Sequence, residues 1–122
     1  MIKVNIMQIS KINDLYSATG QIDINDLDQI NENGFKTIIC FRPEDEDKEN
    51  QPKQELLKKE AKKRGIGFIS IAVIPGQMTD ENINKFSQEF NQNEQPVLGY
   101  CKSGGRAKSI YQAYEQHQKN QI

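Results

Sequence analysis

A cysteine and an arginine, Cys101 and Arg106, flank a short glycine-containing loop that follows an apolar run. A thiolate is a strong nucleophile, and a guanidinium can hold two oxygens of a bound anion through parallel hydrogen bonds. Glycines let backbone N–H groups turn toward an anion without interference from a Cβ atom. Because the following residues have helical periodicity, the positive end of a helix would face the same point. The segment is therefore predicted to bind an anion beside a reactive thiolate.

The anion-binding loop between these two residues consists of Lys102, Ser103, Gly104 and Gly105. A simpler interpretation stays open, in which a buried cysteine at a strand end is followed by an ordinary glycine turn. Cys-x-x-Gly alone is common and has little specificity. The preceding strand, the following helix and the arginine at the helix entrance together favour the anion site.

Length and charge limit the class of protein. The chain has 122 residues and a formal net charge of −1 at pH 7, so a single domain over residues 1–122 is expected. The charge balance argues against nucleic acid as a partner, because nucleic-acid binding needs a basic stripe. No stretch approaches the ~18 apolar residues of a membrane span, so no membrane association is expected.

The two cysteines, Cys40 and Cys101, form no CxxC pair and lie at no metal-ligand spacing with the single histidine, His117. No metal and no organic cofactor is therefore predicted. Cys40 lies inside an apolar run and is predicted to be a core residue. A disulfide between the two cysteines would need Cα atoms within about 7 Å, and the sequence leaves this open. A reactive free thiol suits the reducing cytoplasm.

Strand-like and helix-like segments alternate along the chain, which predicts an α/β fold with a mostly parallel central sheet and helices on both faces. The strand candidates are residues 1–12, 15–19, 35–41, 67–73 and 97–100. The helix candidates begin at Asp23, Pro52, Thr79 and just after the cysteine loop. In the second helix, Leu56, Leu57 and Ala61 are predicted to form the apolar stripe. In the last helix, Ala107, Ile110, Tyr111 and Tyr114 are predicted to face the core.

Three segments leave the carboxyl ends of predicted parallel strands: Arg42, residues 75–78 and the loop after Cys101. Ligands of such sheets bind at these strand ends, so the three segments are expected to line one face of the molecule. The acidic stretch over residues 44–51 is predicted to be a solvated loop.

Five motifs in order resemble successive signatures of one family. They are Thr19-Gly20-Gln21-Ile22, Gly34-Phe35-Lys36-Thr37-Ile38-Ile39, Arg42-Pro43-Glu44, Val73-Ile74-Pro75-Gly76-Gln77-Met78-Thr79 and Cys101-Lys102-Ser103-Gly104-Gly105-Arg106. Over residues 10–117 the chain resembles the phosphatase-like domain of beta-lactamase-hydrolase-like proteins, which is related to the dual-specificity cysteine phosphatases. The resemblance implies a cysteine-phosphatase-like fold, with Cys101 as nucleophile, Arg106 as oxyanion clamp and the backbone of residues 102–106 as the phosphate cradle. Some members accompany enzymes of sulfide and persulfide metabolism, which implies a sulfurtransferase role for those.

The sequence departs from the cysteine-phosphatase pattern of His-Cys, five residues, Arg and a hydroxyl residue. Tyr100 stands in place of the histidine, four residues separate Cys101 from Arg106, and Ala107 stands in place of the hydroxyl residue. A shorter loop offers fewer N–H groups to the three equatorial oxygens of a phosphoryl group. Rhodanese-type sulfurtransferases have a loop of this shorter length, so the departure favours sulfur transfer.

Cleavage of a phosphate ester usually needs a general acid for the leaving oxygen. Related phosphatases carry an aspartate on the loop that corresponds to residues 74–78, where this chain has no carboxylate. The accessory candidates near the predicted site are Arg42, Gln77 and Asp80, although Asp80 fits first as the start of a helix. Glu44 and Asp45 are weaker substitutes for the acid. Without an acid, aryl phosphates and other substrates with good leaving groups should react best.

Three functions follow from these residues. The first is a phosphomonoester hydrolase that uses Cys101, and the alternative is a sulfurtransferase that carries a persulfide on Cys101. The third is a non-catalytic anion-binding module. Each predicts a small anionic partner, either a phosphate ester or a sulfane-sulfur donor, and no protein partner is indicated.

Overall fold

The segment that carries Cys101 leaves the middle strand of a β-sheet. The structure, a computed structural model, describes residues 8–120. Within them the chain forms five strands: β1 (Ser10–Lys11), β2 (Tyr16–Thr19), β3 (Thr37–Cys40), β4 (Gly67–Ser70) and β5 (Val97–Tyr100). Their spatial order is β1-β2-β5-β3-β4, with β1 antiparallel to β2 and every other pairing parallel. The mostly parallel sheet is thus confirmed.

Helices cover both faces of this sheet, as predicted. They are α1 (Leu27–Glu32), α2 (Gln54–Lys63), α3 (Asp80–Gln92) and α4 (Gly105–Lys119). One face packs against α3 and α4 and contains Cys101, while the other packs against α1 and α2 and contains Cys40. No helix formed by residues 8–120 is both long enough and apolar enough to cross a bilayer.

The helix ends follow local signals in the sequence. Asp23 and Asp26 form a reciprocal capping box at a short 3-10 turn that leads into α1, and Thr79 with Asn82 does the same at α3. Each box satisfies two backbone donors that a helix start would otherwise leave unpaired. Gly34, with φ of +86°, follows α1 in the left-handed conformation, which a glycine adopts at little cost.

Some predicted boundaries need correction. The strand predicted over residues 67–73 pairs regularly only as far as Ser70, although Val73 N still donates to Phe41 O at 3.0 Å. Leu56 is 46% exposed whereas Leu57 is fully buried, because adjacent helix positions lie about 100° apart. Tyr114 is only partly buried. The strand predicted over residues 1–12 falls mostly on residues 1–7, which lie outside the described residues.

Candidate active site

Cys101 directly follows β5 and is 1% exposed. Its backbone N–H donates to Thr19 O at 3.3 Å, which continues the pairing with the neighbouring strand. The chain then turns back, and the backbone N–H of Gly104 donates to Cys101 Sγ at 3.1 Å. Gly104 has φ of +96° and is the N-cap of α4. The left-handed glycine therefore lets the loop close around the sulfur at the start of a helix.

The loop is braced by the segment that follows β2. Gln21 N donates to Lys102 O at 3.2 Å. A Cβ atom added to Gly20 would lie 3.0 Å from Lys102 O, and one added to Gly104 would lie 3.3 Å from the carbonyl carbon of Thr19. The two backbones approach this closely because both positions lack side chains. The Thr-Gly-Gln motif and the cysteine loop thus form one packed unit.

Arg106, in the first turn of α4, is close to Cys101 and is held by the loops that follow β3 and β4. Its Nη1 donates to Glu46 Oε1 at 2.7 Å and to Val73 O at 2.9 Å, and its Nη2 donates to Glu46 Oε2 at 2.9 Å. Hydrogen bonding to Glu46 is the main cause that raises the pKa of Arg106, with smaller contributions from charge and hydrogen bonding at Cys101. The guanidinium therefore stays charged beside the sulfur, with a carboxylate across its two terminal nitrogens.

Glu46 lies in the acidic stretch that was predicted to be solvated, and for this residue the prediction is wrong. Its side chain is 17% exposed, because it lies between two guanidinium groups. Besides its contacts with Arg106, Glu46 Oε2 accepts from Arg42 Nε at 2.8 Å. Hydrogen bonding to Arg106 and then to Arg42 outweighs the effect of burial and lowers the pKa of Glu46.

Arg42, an accessory candidate from the sequence, completes this arrangement. It is 3% exposed, and its Nη1 donates to Gln21 Oε1 at 2.7 Å. Its Nη2 is buried and has no hydrogen-bond partner among residues 8–120. Gln21, Arg42, Glu46 and Arg106 thus form a continuous network, here called the strand-end network. It joins the segments that follow β2, β3 and β5.

Sequence reasoning missed Glu46 and Gln21 as members of the site. One signal was present, since Arg42 and Glu46 are four residues apart, a spacing at which opposite charges often pair. The pairing of Glu46 with Arg106 spans 60 positions, and no local pattern indicates it.

A buried tyrosine forms a hydrogen bond with the first turn of α4, directly after the cysteine loop. Tyr16 Oη donates to Ala107 O at 2.8 Å, in the first turn of α4. Burial, and then the nearby Cys101 and Tyr111, raise the pKa of Tyr16 well above its ordinary value, so its hydroxyl keeps its proton. Gly99 makes room for it, because a Cβ atom at position 99 would collide with Tyr16 Oη.

A cleft of about 480 Å³ opens beside Arg106, between the loop after β4 and the first turns of α4. It is lined by Val73, Ile74, Gly76, Met78, Gly105, Arg106 and Ser109. Most of these side chains are apolar, and Ile74 is 53% exposed. The cleft can therefore accept an apolar group attached to an anion held at Arg106.

The remaining candidates lie elsewhere or at the rim. Lys102 and Ser103 are exposed, and Ser103 Oγ accepts from Gly105 N at 3.4 Å. Gln77 is exposed in a turn and does not line the cleft. Asp80 begins α3 and lies beside the second half of α4, with Ala113 and His117, rather than at the cysteine loop.

Neither of the other proposed acids has a described hydrogen bond to the cysteine loop. Glu44 accepts from Gln54 N with both carboxylate oxygens, at 3.2 and 3.1 Å, and so caps α2. Asp45 is exposed. Within residues 8–120 no group of three or more His, Cys, Asp or Glu side chains is arranged to hold a metal ion.

A family model and the curated relatives of this chain point to one protein family. Residues 8–117 match the family described as "Beta-lactamase hydrolase-like protein, phosphatase-like domain". A beta-lactamase hydrolase-like protein of Agrobacterium fabrum is 33% identical over 105 residues, which is 86% of this chain and 24% of that protein. The chain spans about a quarter of the length of the curated relatives it matches.

Solved structures share the fold. A candidate phosphatase of Neisseria meningitidis Z2491 is 33% identical, with a TM-score of 0.80 over 87% of this chain and 75% of its own. P. aeruginosa TpbA, solved in complex with phosphotyrosine, is 12% identical, with a TM-score of 0.60 over 80% of this chain and 55% of its own. At that identity TpbA supports the fold alone.

Proposed function

Because the chain belongs to the family of the phosphatase-like domain of beta-lactamase hydrolase-like proteins, we propose that it is a cysteine-dependent phosphatase-like hydrolase. Its nucleophile is Cys101, and its anion clamp is Arg106. The substrate is a small phosphomonoester held by the loop of residues 101–106. The fold is that of cysteine phosphatases, and the residue roles are the proposal.

The hydrogen bond from Gly104 N to Cys101 Sγ, at 3.1 Å, is the observation that carries the proposal. This backbone donor and the N-terminus of α4 both direct positive partial charge toward the sulfur. The guanidinium of Arg106 is close enough to Cys101 for the two groups to interact. A nucleophile with an anion-binding group beside it is the minimum that phosphoryl transfer requires.

In the proposed reaction the Cys101 thiolate attacks phosphorus in line with the ester oxygen. Loop N–H groups and Arg106 hold the three equatorial oxygens. The P–O bond breaks, its electron pair leaves with the ester oxygen as an anion that then takes a proton from water, and the phosphoryl group stays on sulfur. Water then attacks phosphorus, which releases inorganic phosphate and restores the thiolate.

Glu46 does not supply the proton for the leaving group, because its two arginine partners lower its pKa and keep it ionised near neutral pH. Substrates whose leaving group is stable as an anion are therefore favoured, and aryl phosphates are of this kind. The apolar wall of the cleft, from Ile74 to Met78, suits an aryl group. The phosphotyrosine bound by TpbA is an aryl phosphate.

The second candidate function is sulfur transfer, which the four-residue loop and the ionised Glu46 favour. The Cys101 thiolate would attack the sulfane sulfur of thiosulfate, break the S–S bond and release sulfite. The resulting persulfide would pass its outer sulfur to cyanide or to a thiolate and regenerate the Cys101 thiolate. No proton is needed for the sulfite leaving group. A reducing compartment such as the cytoplasm keeps the thiol available for either reaction.

Turnover of p-nitrophenyl phosphate by the reduced protein tests the proposal. Cys101→Ser should abolish it, and Cys40→Ser should retain it, because Cys40 lies on the opposite face of the sheet. Unchanged turnover in Cys101→Ser would refute the assignment of the nucleophile.

Intact-mass measurement after exposure to thiosulfate tests the alternative. Sulfur transfer would replace hydrolysis as the proposed function if the protein gains the mass of one sulfur and shows no aryl-phosphate turnover. The gain should be absent in Cys101→Ser and should be removed by cyanide. Phosphate binding with neither activity would indicate a binding module.

A further inference from the structure

Tyr16 places a buried hydroxyl donor beside the cysteine loop, on the face of the sheet that carries Cys101. Its side chain is fully buried, and its hydroxyl end lies against Gly99, two residues before the cysteine. Burial raises the pKa of Tyr16 well above its ordinary value, so the hydroxyl keeps its proton. That proton is donated to Ala107 O at 2.8 Å. The first turn of α4 is therefore held by a permanent donor from β2.

A series of hydrogen bonds continues from this hydroxyl to the sulfur. Ala107 O and the N–H of Lys108 belong to one planar peptide group, and that N–H donates to Gly104 O at 3.0 Å. Gly104 N in turn donates to Cys101 Sγ at 3.1 Å. Hydrogen bonds that follow one another in this way polarise each other. The hydroxyl of Tyr16 is thus connected to the nucleophile through the backbone of α4 and Gly104.

Gly104 is the member of this series that most needs to be held. A glycine has more conformational freedom than any other residue, and Gly104 has φ of +96°. Its N–H points at Cys101 Sγ only while this conformation is kept. The bond from Lys108 N to its carbonyl oxygen restrains it, and the peptide group that supplies this bond is the one that Tyr16 holds.

We infer that Tyr16 is a positioning residue for the nucleophile. By holding the peptide group of residues 107–108, it keeps the N–H of Gly104 on Cys101 Sγ and so fixes the direction in which the sulfur faces the bound anion. This role is separate from that of Arg106, which holds the oxygens of the anion. The inference rests on the proposed roles of Cys101 and Arg106, and it adds a residue that acts through Gly104.

Hydrogen exchange of the Gly104 amide tests the inference without a substrate. Tyr16→Phe removes only the hydroxyl and keeps the ring, which stacks on Tyr111 with 4.5 Å between the ring centroids. Ala107 O keeps its partner within the helix, so the variant leaves no carbonyl unpaired. Because one hydrogen bond of the series is lost, the Gly104 amide should exchange about tenfold faster than in the wild type.

Tyr111→Phe is the matched control. It removes the hydroxyl of the stacked partner, which accepts from Asn13 Nδ2 at 2.8 Å and takes no part in the series. Exchange of the Gly104 amide should therefore stay as in the wild type. Equal acceleration in Tyr111→Phe and Tyr16→Phe, or no acceleration in Tyr16→Phe, would overturn the inference.

Kinetics separate the positioning of the sulfur from the binding of the anion. In Tyr16→Phe, kcat for p-nitrophenyl phosphate should fall about tenfold, the equivalent of one lost hydrogen bond. The calorimetric affinity for inorganic phosphate should stay that of the wild type, because Arg106 is untouched. Tyr111→Phe should keep both values. A phosphate affinity that falls as much as kcat would show that Tyr16 acts on the anion clamp, which would also overturn the inference.

Failure of the proposed function is distinguishable from failure of this inference. A wild-type protein without aryl-phosphate turnover would refute the hydrolase. The exchange rate of the Gly104 amide would still decide whether Tyr16 holds the donor on Cys101 Sγ, since that measurement needs no reaction.

Discussion

Cys40 and Cys101 lie at the same end of the sheet but on opposite faces of it. Cys40 pairs in register with Tyr100, the residue that precedes Cys101. Successive residues of a strand point to opposite sides, and the two cysteines accordingly belong to different core clusters. Burial is the main cause that raises the pKa of Cys40, which keeps it a neutral thiol.

We therefore predict that the two cysteines form no disulfide with each other. Their side chains point apart, and a bridge would require the backbone to move. Mild oxidation followed by non-reducing mass spectrometry should show two alkylatable thiols or an oxidised Cys101 alone. A loss of two mass units that is abolished in both Cys40→Ser and Cys101→Ser would contradict this geometry.

Substitution of Arg106 by lysine should weaken phosphate binding about 10- to 100-fold, because a forked contact with a buried anion becomes a single-point contact. Calorimetric titration with phosphate measures the change. Arg64→Lys, at an arginine paired with Asp28 and Glu60, is the matched control, and thermal unfolding should show that both variants are folded. A variant at position 106 that binds phosphate as tightly as the wild type would remove this residue from the anion site.

The ion pairs of Glu46 predict a specific pH dependence of stability. The folded-state pKa of Glu46 is lowered, first by Arg106, and the unfolded value is about 4.3. Its contribution to the free energy of unfolding is therefore complete above pH ~5 and is lost as the pH falls through the lowered folded pKa. Denaturant titrations should show Glu46→Gln less stable than the wild type at pH 7, with a difference that shrinks below pH ~4. Asp28→Asn, at a largely exposed carboxylate, is the control and should lose less unfolding free energy at pH 7. A loss of stability in Glu46→Gln that stays constant down to pH 3 would contradict the prediction.

Replacement of Gly99 by alanine should destabilise the fold by about 1–3 kcal/mol, because the core has no room for the added atom. Its Cβ would collide with Tyr16 Oη and would lie 2.8 Å from Phe41 Cε2. Combination with Tyr16→Phe should recover part of the loss, so the two changes should not be additive in denaturant unfolding. Gly67→Ala, where the nearest atom would be 3.6 Å away, is the matched control. Strict additivity would show that the hydroxyl is not the obstacle.

Replacement of two adjacent leucines in α2 by alanine should lower the free energy of unfolding by very different amounts. Leu57 is fully buried, whereas Leu56 is 46% exposed. Leu57→Ala should cost about 2–5 kcal/mol of unfolding free energy, and Leu56→Ala about 0.5 kcal/mol or less. Chemical denaturation measures both losses. Comparable losses for the two variants would mean that α2 buries a different face from the one that carries Leu57.

Much of the fold could be predicted from the sequence, because local patterns set it. Alternating apolar runs and helix caps such as Asp23 and Thr79 define the parallel sheet and the starts of helices. The glycine loop after an apolar run likewise identified Cys101 and Arg106 as neighbours, since a tight turn and one helical turn bring them together. These signals act over a few residues.

The strand-end network could not be predicted in this way. Glu46 reaches Arg106 only because β3 and β5 are adjacent and parallel, which brings distant loops to one edge of the sheet. The sequence showed Glu46 only as one of several acidic residues in a polar stretch. Asp80 is the opposite case. It follows the loop after β4 closely in sequence, but it lies beside the second half of α4 and not at the cysteine loop.

The strand order also has a consequence for biosynthesis. β5 lies between β2 and β3 although it is the last of the five strands in residues 8–120 to leave the ribosome. Until it emerges, β2 and β3 each expose an inner edge, and such edges favour self-association. The arrival of β5 pairs both edges and delivers the cysteine loop with α4 in the same event. A nascent chain therefore gains its completed sheet and its candidate nucleophile together, and a chain cut short before β5 would have neither.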